Sequence, residues 1–154
     1  MFFLQKSLCF IICLLWFSLG FAGINNPLII NFSKTQYGAA NKNWSISEDE
    51  HGILYFGNDI GLLEFDGIEW KLNKLPKAEV VRSVYAVSNN EIYTGGYEEF
   101  GKWSRQPDGE LTYTSLSKEL PTDNWQNDDI WRILPQGESI YFQSFSGIFR
   151  HHPV

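Results

Sequence analysis

Residues Trp44 to Leu72 read WSISEDEHGILYFGNDIGLLEFDGIEWKL, and the segment parses into four short strands. Trp44 and Ile46 alternate with Ser45 and Ser47, the two-residue period of a half-buried strand. Asp49 to Gly52 then makes a turn, because Asp hydrogen-bonds its own backbone and Gly adopts positive φ freely. Ile53 to Phe56 is too short and too rich in β-formers to be a helix. Asn58, Asp59 and Gly61 punctuate it, and Leu62 to Phe65 is the third strand. Asp66-Gly67 is a two-residue hairpin signal, and Ile68 to Leu72 is the fourth strand. Such a sheet is apolar on both faces and needs copies of itself on either side.

The copies follow. Val80 to Val87, Glu91 to Gly96, Gly101 to Trp103 and Leu111 to Leu116 repeat the unit, and a third begins at Ile130 to Leu134 and continues through Ile140 to Phe142 and Gly147 to Phe149. Tyr55, Tyr93 and Tyr141 occupy the same place in their copies, 38 and 48 residues apart. A four-stranded unit recurring at roughly 40–50 residues is the signature of a β-propeller blade. The expected fold is all-β: a partial β-propeller of about three four-stranded antiparallel blades, the last incomplete, after a signal peptide. The blades are expected at 44–75, 80–117 and 129–154, preceded by a lead-in strand and loop at 23–43 in which Leu28 to Phe32 is the strand. No window beyond the leader shows a 3.6-residue apolar stripe. A closed ring takes about four to eight blades, so the chain reads as the N-terminal piece of a longer protein whose other blades follow Val154. The face of the third blade, carrying some of Trp131, Ile133, Phe142 and Phe149, is expected to meet water.

Residues 1–22 read as a leader. Lys6 supplies a positive start, Leu8 to Phe21 is almost wholly apolar, and Gly20 and Ala22 are small residues placed for a cut before Gly23. Both cysteines, Cys9 and Cys13, lie inside it, so the exported chain is expected to hold no disulfide and no thiolate metal site. The whole chain carries a net charge of −6, and loss of Lys6 makes it more acidic. No basic patch interrupts that balance, which argues against nucleic acid as a direct partner.

Catalytic and metal motifs find little footing. There is no nucleophile elbow, phosphate loop or Cys/His pair, and His51, His151 and His152 are too scattered for a metal cluster. Neither a metal nor a cofactor is expected. The segment from Ser47 to Gly52 is similar to the Asp-box turn of sialidases but has one residue too many between Asp and Gly. Five residues stand out as candidate ligand contacts. Arg82 and Arg132 fall in first strands, which line the channel of a propeller, where an arginine holds an acidic sugar or pairs with carboxylates such as Asp128 and Asp129. Glu98 and Glu99 sit where the second copy has two extra residues between its Tyr and its Gly, lengthening a loop at one end of the blade. Trp125 lies in a polar loop where packing does not explain it. Trp44, Trp70, Trp103 and Trp131 recur at strand positions and serve either packing between blades or stacking on a sugar ring.

Six segments taken in order — Asn43 to Ile46, Tyr55 to Asn58, Gly61 to Gly67, Val81 to Ser83, Ile92 to Gly96 and Glu99 to Gly101 — resemble the opening blades of the two-component-regulator propeller family. The resemblance covers essentially the whole chain after the leader. Tyr97 to Gly101 with Leu111 to Leu116 is similar to the branch joined to a LuxR-like helix-turn-helix regulator. The resemblance implies the periplasmic ligand-sensing part of a membrane-bound signalling or transcription regulator, anchored to the inner membrane by a downstream helix and dimeric in the parent protein. Its implied partners are an oligosaccharide and the downstream blades and signalling domains, with a kinase or helix-turn-helix as output and no catalysis in this segment. The alternatives from other classes are a propeller-fold glycosidase or lyase and a protein-interaction scaffold.

Overall fold

The computed structural model describes residues 28–77, 80–120 and 127–153. The leader, the loop carrying Trp125 and Val154 lie outside the described residues. Leu28 to Asn31 belong to a first unit and are exposed, without regular structure. The expected strand at Leu28 to Phe32 does not form. The second unit, Phe32–Val154, opens instead with a short helix, α1 (Lys34–Tyr37). The Ser33 amide donates to Gln36 Oε1 at 2.8 Å, satisfying a donor at the helix start. Gly38 ends the helix with φ 64°, a left-handed conformation that glycine takes at little cost.

Among the described residues the rest of the regular structure is strand, apart from one 3-10 turn at Ser117–Glu119. The first sheet joins β1 (Asn43–Glu48), β2 (Leu54–Asn58), β3 (Gly61–Phe65) and β4 (Trp70–Asn73). The second joins β5 (Val81–Ser88), β6 (Glu91–Gly96), β7 (Glu99–Arg105) and β8 (Leu111–Ser115). The third joins β9 (Arg132–Gln136), β10 (Ser139–Gln143) and β11 (Ile148–His151). Every pairing is antiparallel between consecutive strands. The chain is therefore all-β, in three sheets of four, four and three strands. No described helix is long and apolar enough to cross a membrane.

Strand limits differ from expectation where turns are set by side chains. The link expected as a two-residue hairpin at Asp66-Gly67 is wider, because Asp66 Oδ1 accepts from the amides of Ile68 and Glu69 at 2.8 and 2.7 Å. Those bonds hold Ile68 in the turn, and β4 starts only at Trp70.

The three register tyrosines fall in the second strand of their sheets, Tyr55 in β2, Tyr93 in β6 and Tyr141 in β10. Tyr55 lies between Ser47 and Glu64, Tyr93 between Tyr85 and Lys102, and Tyr141 between Leu134 and Arg150. Side chains alternate faces along a strand, so these tyrosines define one face of each sheet. That face of the first sheet packs on the second, where Tyr55 and Leu62 meet Val84, Ala86, Ile92 and Trp103. That face of the second packs on the third, where Tyr93 and Phe100 meet Ile133, Ile140 and Phe142. The middle sheet is buried on both sides, and each fully buried aliphatic or aromatic side chain contributes about 1.5–3 kcal/mol.

The close approach of successive sheets has a local cause. A Cβ at Gly57 would come within 2.7 Å of the Val81 carbonyl oxygen. A Cβ at Gly95 would collide with the Ile130 side chain. Gly57 and Gly95 each stand two residues after the register tyrosine, and only glycine fits there. The corresponding residue of the third sheet is the exposed Gln143. The open face of that sheet is the one bearing Leu134, Tyr141 and Ile148, not the one bearing Ile133 and Phe142, which is buried against the second sheet. Phe149 packs with that core as well. Predicting the wrong face followed from not knowing which side of each sheet meets its predecessor.

Candidate functional site

Register picks out a second set of equivalent residues. Trp44, Arg82 and Trp131 each stand three positions before the residue that pairs with the register tyrosine. In the first two sheets the ladder shifts between Asn43 and Ser45 and between Val81 and Ser83, leaving Trp44 and Arg82 as the extra residues of a bulge. A bulge re-aims the side chain it carries. Trp131 precedes β9 and donates its amide to Gln143 at 2.9 Å.

The three side chains come together. The Arg82 guanidinium carbon lies 4.0 Å from the centroid of the Trp44 ring and 5.6 Å from that of Trp131, within the range of cation–π attraction. Two carboxylates flank the arginine: Asp129 Oδ1 accepts from Arg82 Nε at 3.3 Å, and Asp59 Oδ1 lies 3.9 Å from Nη1. Asp59 also accepts from the Trp44 indole N–H at 2.7 Å. Arg82 Nη1 is buried without a hydrogen-bond partner. Trp44 and Trp131 remain 40% and 39% exposed, and Phe145 lies 5.4 Å from the Trp131 ring.

Buried polar residues hold this edge in place. Asn58, fully buried, donates to the carbonyls of Ala40 and Lys42 at 2.8 and 3.0 Å, fixing the segment that presents Trp44. Asp128 accepts from the Ser146 hydroxyl at 2.6 Å and from the amides of Ser146 and Phe145 at 2.8 and 3.3 Å. Burial opposes its ionisation, but these hydrogen bonds outweigh burial and hold the carboxyl at about 2. Tyr97 pairs with Asp129 in an isolated bridge, and its hydroxyl donates to Asn127 Oδ1 at 3.0 Å.

Arg82, of the sequence candidates, is at the centre of this arrangement. Glu98 borders it: at φ 51° in the turn between β6 and β7, it accepts from the Asn127 amide and donates its own amide to the Asp128 carbonyl. Glu99 has other neighbours. It accepts from the Tyr113 hydroxyl at 2.9 Å and lines a cavity of about 70 Å³ with Lys77, Lys118 and Leu75. Arg132 is exposed on the outward face of the third sheet, opposite Gln143. It is not the counterpart of Arg82; Trp131 is. Trp125 lies outside the described residues. Trp103 and Trp70 serve packing, the first buried between sheets and the second stacked on Phe65 at 4.3 Å. Asp49, Glu50 and His51 cluster closely enough to offer ligand atoms to a metal. Asp49, however, already accepts from the amides of His51 and Ile53 and from the Tyr55 hydroxyl, the bonding of a structural turn.

The arrangement pairs exposed aromatic surface with carboxylate acceptors around a neutralised guanidinium. Such a surface suits recognition of a ligand with apolar faces and hydroxyl donors. Compared with known proteins, the chain matches no protein-family model and no curated protein significantly.

Proposed function

We propose that the three sheets are successive blades of a β-propeller in an exported ligand-sensing domain, and that this domain binds a saccharide at the Trp44–Arg82–Trp131 edge. The observation that carries the reading is the stack itself: three equivalent positions of three sheets converge on one cluster, as first-strand residues do around the axis of a propeller. The two sheet interfaces support the ring arrangement, because the same face of one sheet meets the next twice in the same register. A two-sheet sandwich has no middle sheet buried on both sides. Export rests on the apolar leader and its small-residue cut site. The sensing role, the periplasmic location and the link to a downstream membrane anchor and output domain rest on the resemblance to two-component-regulator propellers.

Binding is better supported than glycoside hydrolysis. Both carboxylates beside the aromatic surface are already engaged, Asp59 by the Trp44 indole and Asp129 by Arg82, whereas hydrolysis needs one free to donate a proton. The test is titration of the purified chain with a panel of oligosaccharides, read by tryptophan fluorescence and by calorimetry. A bound saccharide should perturb the fluorescence of the wild type, and Trp44→Ala and Trp131→Ala should each abolish binding. No binding by any member of the panel, or binding that survives both substitutions, overturns the proposal.

A further inference from the structure

We infer that the saccharide taken by the Trp44–Arg82–Trp131 edge is uncharged, with a hydroxyl group that donates to Asp59, and is not a uronate or a sulfated sugar; this rests on the reading of that edge as a saccharide site. A lone arginine beside two tryptophans would point the other way, since guanidinium binds carboxylate and sulfate strongly as a two-pronged donor. Here the prongs are not on offer. Nε is spent on Asp129, and Nη1 is enclosed, with Asp59 Oδ1 3.9 Å away.

The charges around the stack set the sign. Among the described residues, Arg82, and Lys42 at 5.6 Å from the Trp44 ring, are the cations against the stack. Against them stand Asp59, Asp129, Glu98 and Asp128, the last held ionised by its hydrogen bonds. An anionic ligand would meet a net negative edge, and a two-pronged contact with the guanidinium would have to displace Asp129 from Nε or open the enclosed Nη1. What the edge presents to solvent is aromatic surface on Trp44, Trp131 and Phe145, and the carboxylate oxygens of Asp59, whose side chain is 33% exposed. Pyranose rings offer that surface its complement, an apolar C–H face for an indole and hydroxyl donors for a carboxylate.

The experiment compares two sets of probes on the purified chain by calorimetry: neutral cello-, xylo- and manno-oligosaccharides against oligogalacturonates and sulfated disaccharides. Neutral probes should bind, with affinity nearly unchanged from low to high salt, and charged probes should not. Asp59→Asn, a near-isosteric change that keeps a side-chain oxygen to accept from the Trp44 indole, should weaken the neutral ligand about tenfold, the effect of losing a hydrogen bond to a charged acceptor. Binding of a uronate or sulfated probe that depends on Trp44 and Trp131 and falls with salt would overturn the inference while leaving the saccharide site standing. A neutral ligand whose affinity is unchanged by Asp59→Asn would also overturn it. Failure of both probe sets would remove the site and the inference together.

Discussion

Arg105 of β7 donates from Nη2 to Glu64 of β3 at 2.6 Å, across the interface between the first and second sheets. The same Nη2 reaches the Tyr55 hydroxyl at 3.1 Å, and Nε bonds Asn89 Oδ1 at 2.6 Å. Burial opposes the charge on Arg105, but Glu64 outweighs it and raises the guanidinium's affinity for its proton. Burial also raises the Tyr55 hydroxyl well above its ordinary range, with the Glu64 charge adding to the shift and Arg105 opposing it. The contact is a charged tie, largely buried, across the seam between the two sheets.

Arg105→Met should therefore cost about 3 kcal/mol, because Glu64 would keep its charge in a nearly closed site. Replacing both residues, with Glu64→Leu added, should recover most of that loss. Urea denaturation of the wild type, the single variant and the double variant measures it. A single variant within about 0.5 kcal/mol of wild type, the range of surface substitutions, would show that the tie contributes little.

Acid should weaken the fold through Asp128. Its carboxyl sits at about 2 in the folded chain, below the ordinary value of 3.8. A depressed folded value gives stability that is fully present above the unfolded pKa and is lost as pH falls from 3.8 toward 2. The contribution is of order 2 kcal/mol. Unfolding free energy measured against pH should drop across that window in the wild type, and Asp128→Asn should flatten the drop. Parallel curves for the two proteins would refute the assignment.

The register tyrosines should differ sharply in what they contribute. Tyr93 is fully buried between sheets, whereas Tyr141 stands half-buried on the open face. Tyr93→Ala should cost about 3–5 kcal/mol, the range for losing a large buried aromatic, and Tyr141→Ala no more than about 1 kcal/mol. Thermal melts of the two variants decide it, and equal losses would contradict the packing described above.

Glycine at the sheet interfaces makes the complementary case. Gly57→Ala and Gly95→Ala each place a methyl group against the neighbouring sheet and should cost about 1–3 kcal/mol, as overpacking does. Gln143→Ala, at the corresponding exposed place, should be nearly neutral. Equilibrium unfolding of the three variants tests the contrast; tolerance at Gly57 would mean that the sheets stand further apart there.

Much of the architecture was readable in the chain because its signals are local. Period-two alternation, Asp/Gly turns and the recurring tyrosine placed the strands to within a few residues. The candidate site was less readable, and the reason lies in register. Trp44 and Arg82 precede their tyrosines by 11 residues and Trp131 by 10, because the first hairpin has a longer turn and the second a bulge between Ala86 and Ser88, and the third has neither. Placing Arg82 and Arg132 alike in first strands left the correspondence of Arg82 with Trp131 out of view. The pairing of Arg82 with Asp129 was among the alternatives at the outset, but nothing local joins residues 47 apart. The width of the Asp66 turn and the short helix α1 are not legible in the sequence because a few side-chain hydrogen bonds set their limits.

Gln143 and Arg132 stand where the first two sheets have Gly57 and Ser45, and Gly95 and Ser83. Those small residues allow the backbone of the next sheet to come within contact, and Ser83 even donates to the Ile130 carbonyl at 2.9 Å. A sheet seated on the outward face of β9 and β10 would meet two long polar side chains at that spot. It would have to stand off by their thickness near the first strand while closing normally further out. A further sheet set there by repeating the contact between the first two would clash with Arg132 and Gln143, so the close glycine contact that joins the first three sheets has no equivalent on that outward face.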